Sequence, residues 1–173
     1  MLDQDMSAQL QQYMGLLRRP ITLTATLGSD ESSAELKGLL EQIAGMSDKI
    51  TLKTDGQASR VPSFAITREG AEQHLSFAAI PLGHEFTSLV LALLWSGGHP
   101  PKVEQAVLDQ IQALDADFDF EVYMSLSCHN CPDVVQALTL MSVFNPRIKT
   151  TIIDGGLNQA EVEAREVMAV PQV

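Results

Sequence analysis

The chain has little of three things: cysteine, positive charge and long apolar runs. Two of its 173 residues are cysteine. They stand three apart and would close a four-residue loop. So short a loop removes little chain entropy, which makes a structural staple a poor explanation for them. Eleven basic residues face 22 acidic ones, a net charge of −11 at pH 7. That charge repels phosphate backbones and anionic lipid, and argues against nucleic-acid and membrane-surface roles. No apolar stretch reaches the ~18 residues needed to cross a bilayer. The opening residues 1–5 are acidic and lack the basic start and apolar stretch of a secretory leader. The expected location is cytoplasmic, where a cysteine pair serves catalysis or metal binding more often than stapling. Apolar residues make up 45% of the chain, enough for a substantial core.

The two cysteines belong to Cys128-His129-Asn130-Cys131. This C-x-x-C follows an alternating apolar run (Phe118, Phe120, Val122, Met124, Leu126) and precedes a helical pattern. A dithiol in that setting can be oxidised and reduced again. Unpaired N–H groups and the positive dipole end at a helix start stabilise a thiolate. Cys128, at the helix cap, is expected to be the exposed nucleophile. Cys131, one turn in and buried, is expected to resolve the mixed disulfide. His129 lies beside Cys128 and can tune its thiolate. Pro132 suits an early helical position, where its missing N–H costs little.

The chain repeats its own pattern. Residues 21–27 and 120–126 both alternate apolar and polar, at an offset of 99 residues. At that offset Leu36 and Leu39 meet Val135 and Leu138. Residues 51–56 meet 150–155, both ending in Asp-Gly, and the helical stretch 7–17 meets 106–116. The unit reads helix, strand, loop, helix, strand. Cys128 and Cys131 fall on Ser29 and Ser32, so the first copy lacks the dithiol and its serines read as helix caps. Each copy reaches a Val-Pro pair: Val61-Pro62 and Val170-Pro171. After Pro62 the first copy continues with strands near 63–67 and 74–80, a turn at Glu69-Gly70, and an apolar helix over 85–95. Gly97-Gly98-His99-Pro100-Pro101 ends that helix. A domain boundary is therefore expected there, dividing the chain into 1–98 and 99–173. The second copy inserts a helical stretch over 158–168 and lacks counterparts of the later strands and helix. It is expected to be truncated at its proline, with an open sheet edge and an uncovered face.

This order is that of a thioredoxin-like α/β fold, in which the proline is typically cis and packs on the dithiol. The chain resembles the N-terminal domain found in the F subunits of alkyl hydroperoxide reductases. The resemblance runs through Phe64-Ala-Ile, residues 81–95, Ser125–Leu138 and Ile153-Asp-Gly-Gly156. It implies two tandem thioredoxin-like folds with one active dithiol, Cys128–Cys131, and Pro171 as the cis proline beside it. It also implies a relay from NADH through FAD and a flavoprotein dithiol to this pair, and on to the disulfide of a peroxiredoxin partner. The FAD and NADH sites would lie in the flavoprotein module of the longer family protein; no cofactor site is expected within these 173 residues. The segment Pro81–Glu85 is implied to face the cleft near the dithiol, where Glu85 would accept a proton. The plainer reading of Glu85 is an acid in a helix's first turn.

Other readings stay open. Zinc wants about four ligands, and Cys128, Cys131 and His129 would still need one more; His74, His84 and His99 are not at ligand spacing. The acid cluster 115–121 reads as one polar strand face. A thioredoxin-like module that only binds partners, or a general disulfide reductase, are the alternatives to a dedicated electron carrier.

Overall fold

Alternation along β1 (Ile21–Thr26) sends Ile21, Leu23 and Ala25 into the core and leaves three threonines partly exposed. The other elements follow with comparable logic in a computed structural model that describes residues 2–72 and 74–173. In chain order they are α1 (Gln4–Met14), β1, α2 (Glu31–Ala44), β2 (Ile50–Lys53), β3 (Ser63–Arg68) and β4 (Leu75–Ala78). A 3₁₀ turn (Gly83–Glu85) leads into α3 (Phe86–Ser96). Then come α4 (Gln105–Gln112), β5 (Phe118–Met124), α5 (Cys131–Phe144), β6 (Ile148–Asp154) and α6 (Gln159–Ala164). Asp3 caps α1 by accepting from the Met6 N–H at 2.8 Å.

The strands form a single sheet in the order β2-β1-β3-β4-β6-β5. β1 runs parallel to β2 and antiparallel to β3, and β3 and β4 form an antiparallel pair. The second half repeats the parallel pair as β5 and β6, with Phe120 beside Thr150. The 99-residue offset recurs in the backbone: Gly56 donates to the Ala25 carbonyl and Gly155 to the Met124 carbonyl, both at 3.0 Å.

The open edge expected of the second half is found at β5, whose one strand neighbour among the described residues is β6; the bare face expected with it is corrected, because elements of both halves cover the sheet. β6 pairs in parallel with β4, Leu75 beside Thr150 and Ala78 beside Ile153, so the halves join strand to strand. An unpaired β6 would strand a row of N–H and C=O groups, and β4 of the first half satisfies them. At the β5 edge Tyr123 and Gln172 exchange two backbone bonds, at 2.8 and 3.1 Å. One sheet face carries the main core, where Phe64 and Phe77 stack at 5.2 Å and α3 packs on α5. The opposite face buries Ala78, Tyr123 and Ile153 under Val162 and Val167 of the α6 region. That helix is shorter than the 158–168 stretch read from sequence.

Candidate functional site

The site is built where β5 ends and α5 begins. Cys128 and Cys131 form a disulfide with Cα atoms 5.5 Å apart. Cys131 is fully buried and Cys128 half-buried, with its N–H donating to the Ser125 carbonyl at 3.1 Å. The expected helix start at Cys128 is corrected. α5 starts at Cys131 with Asn130 as its cap, so Cys131 opens the helix rather than lying a turn inside it, and Cys128 precedes the cap. The reason is local: residues 129 and 130 form a bend, and helical hydrogen bonding begins only beyond Asn130. Pro132 is the second helical residue, where no intrahelical N–H partner is needed. The Cys128 sulfur lies 3.9 Å from the carbonyl oxygen of Val170, next to Pro171. The Val170–Pro171 bond is cis, as is Val61–Pro62.

The first half reaches into this site through the turn before α3. Gly83 has φ +56°, and a Cβ on it would fall 2.9 Å from the Leu126 carbonyl oxygen, so glycine is required there twice over. The next N–H, that of His84, donates to that same carbonyl at 3.0 Å. The His84 ring then stands edge-on to that of His129, with centroids 4.4 Å apart. Both histidines are at least partly exposed.

Glu85 follows and is fully buried. One carboxyl oxygen accepts from the Ser88 hydroxyl at 2.6 Å, and Gln136 of α5 donates to the same hydroxyl at 3.1 Å. The other oxygen has no hydrogen-bond partner among the described residues. Burial pushes the Glu85 carboxyl above the usual carboxylate range, and the Ser88 bond offsets part of that. An unpartnered buried carboxylate oxygen is costly, which is the physical reason for the upward shift. Ser88 was findable in sequence, since Glu-x-x-Ser puts both side chains on one helical face. Gln136, 48 residues beyond Ser88, was not.

A second contact between the halves lies on the α6 face. Arg60, just before Val61-Pro62, bonds Glu161 at 2.9 Å and also pairs with Glu121. Arg165 bonds Glu121 at 2.7 Å and the Tyr123 hydroxyl at 3.0 Å, and that hydroxyl donates to Glu161. The Arg60 guanidinium holds the Glu161 carboxyl below its ordinary value. Burial pushes Glu121 up, but Arg165 and Arg60 outweigh it and hold that group low as well. Apart from the acid cluster, no sequence pattern signals this network; the Asp115 and Asp117 end of that cluster pairs with Arg147 instead. His74 and His99 are not part of the dithiol site, and no cluster of three metal-ligating side chains occurs among the described residues.

This geometry has counterparts in known proteins. No family model matches the chain. It is 59% identical to the F subunit of alkyl hydroperoxide reductase from Escherichia coli, over the whole of this chain and 33% of that protein. It superposes on the crystal structure of the N-terminal domain of that reductase from Enterococcus faecalis with a TM-score of 0.87 and 30% identity, covering 99% of this chain and 88% of that one. The chain belongs to the family of alkyl hydroperoxide reductase F subunits. It spans about a third of the length of the curated relatives it matches. The fold is thioredoxin-like: a protein disulfide oxidoreductase from Aeropyrum pernix shares it at a TM-score of 0.80 with 19% identity. No helix among the described residues is long and apolar enough to cross a membrane.

Proposed function

We propose that the chain is a dithiol/disulfide electron carrier of the cytoplasm. In this reading it takes electrons from an NADH-dependent flavoprotein module of the same protein and passes them to the disulfide of a peroxiredoxin partner. FAD and NADH supply two-electron transfer within that module, and no residue of this chain is assigned to them. The observation that carries the reading is the disulfide at the start of α5, with one half-exposed and one fully buried sulfur. That asymmetry separates an attacking thiol from a resolving one.

Transfer begins when the Cys128 thiolate attacks one sulfur of the partner disulfide. A Cys128–partner bond forms, and the partner's other sulfur leaves as a thiolate. Cys131 gives its thiol proton to Glu85 and attacks the Cys128 sulfur. The Cys128–partner bond breaks and the second partner thiolate leaves. Two electrons have moved, and Cys128–Cys131 is oxidised. Glu85 suits proton acceptance because burial raises its basicity. His129 tunes the thiolate from outside the helix. Pro132 shapes the helix start, and Pro171, beside Val170, closes the far side of the sulfur pair. Within this proposal residues 1–98 are the silent fold and 99–173 the redox-active one.

The test is a single turnover of the pre-reduced chain with an oxidised peroxiredoxin. Cys128→Ser is expected to transfer nothing, and Cys131→Ser to accumulate a mixed disulfide visible on a non-reducing gel. A reduction potential near that of reducing thioredoxins, about −270 mV, is expected for the pair. Partner reduction by both variants would sink the proposal.

A further inference from the structure

A cavity lies away from the dithiol. It is a groove of about 700 Å³ walled by α1, α3, α5 and the segment around His99–Val103. Leu89 and Leu93 of α3 point into the core and are fully buried. The opposite side of the same helix presents Leu91, partly exposed, and Trp95, 9% exposed, to the groove. A surface helix ordinarily carries polar residues on that side, and a helix apolar all round is normally covered. Leu16 and Val103, 46% and 38% exposed, extend the apolar lining to the rim. The volume falls within the roughly 300–1,000 Å³ of small-molecule sites.

Charge narrows the occupant. The chain carries twice as many acidic as basic residues, yet none of the described residues lining the groove is acidic. Lys102 and His99 line it instead. A cation would find no counter-charge here. A polyphosphate would find one lysine and a wall of hydrocarbon. A sugar would find few polar groups. A long apolar body ending in one negative charge matches both features.

We propose that this groove binds an amphipathic anion of the fatty-acid class, with the acyl chain along Leu91 and Trp95 and the carboxylate at Lys102. The proposal stands or falls without the dithiol chemistry, although Gln136, which bonds Ser88, also lines the groove. Trp95 is the chain's single tryptophan, so the groove reports on itself.

The experiment follows Trp95 fluorescence as the chain is titrated with dibromostearate below its aggregation concentration. Saturable quenching is expected. The methyl ester of the same acid and the Lys102→Glu variant are each expected to bind about fivefold or more weakly, while Lys102→Arg retains binding. Quenching that never saturates, or that is equal for acid, ester and Lys102→Glu, overturns the proposal. A dimer in sedimentation that Leu91→Glu dissolves also overturns it, because the groove would then belong to a second copy of the chain.

Discussion

His84 of the first half lies edge-on against His129 of the C-x-x-C, ring centroids 4.4 Å apart. The contact is set by backbone rather than by the rings. Gly83 turns at positive φ against the Leu126 carbonyl, and the His84 N–H bonds that carbonyl. The first half therefore holds the loop that carries Cys128 and Cys131.

Gly83→Ala is expected to destabilise the chain by roughly 1–3 kcal/mol, because a Cβ is strained at that φ and meets the Leu126 oxygen. His84→Ala, which keeps the backbone bond, is expected to stay within about 0.5 kcal/mol. Urea unfolding of both variants checks this. Equal costs would place the anchor in the ring, not the backbone.

Glu85 gives a pH signature with a definite sign. Its folded pKa is raised, chiefly by burial. Its contribution to stability is therefore complete below the ordinary carboxylate range and is lost as pH rises through the raised folded value. Glu85→Gln should remove that loss, flattening the stability profile on the alkaline side of the carboxylate range. The same variant should slow resolution of the mixed disulfide by roughly 10²-fold. Denaturant midpoints across pH read the first effect, and stopped-flow thiol exchange the second.

The Arg60 network predicts the opposite sign. Glu161 and Glu121 have lowered folded values, Glu161 through Arg60 and Glu121 through Arg165 and Arg60 against the effect of burial. Their contribution is present above the ordinary carboxylate pKa and is lost as pH falls through the folded values. Arg60→Met should cost about 1–2 kcal/mol at neutral pH, leaving two half-buried carboxylates short of a partner. It should also shrink the acid-induced loss. Thermal unfolding at neutral and acidic pH measures both, and an unchanged acid limb would contradict the assignment.

Asn145 is a further tie, local to the second half. It is buried, donates to the carbonyls of Ile111 and Leu114 at 2.8 and 3.1 Å, and accepts from the Arg147 N–H at 2.9 Å. Asn145→Ala strands those groups at the end of α4 and should cost about 1–3 kcal/mol, with little change in the dithiol's reduction potential. Chemical denaturation and equilibration with glutathione read the two independently.

Local elements were legible because their signals are local. Period-two alternation marked β1 and β5 within two residues of their bounds, strand-like composition marked β3 and β6 as closely, and Gly97 to Pro101 marked the end of α3. The C-x-x-C, its helix and its proline were legible for the same reason. The start of α5 was not, because a C-x-x-C can place its first cysteine at the cap or ahead of it, and here the backbone bends through Asn130 before the helix begins.

By itself, the sequence determined that two similar strand–helix–strand units exist, that only the second carries cysteine, and that an apolar helix follows Glu85. The tertiary structure decided what each unit meets. Pairing of β4 with β6 depends on matching edge hydrogen bonds 75 residues apart, for instance Leu75 with Thr150. The Glu85–Ser88–Gln136 chain and the Arg60 network depend on side chains that no spacing brings together. Such contacts arise only when separate elements bury their apolar faces against one another, so chain order alone cannot specify them.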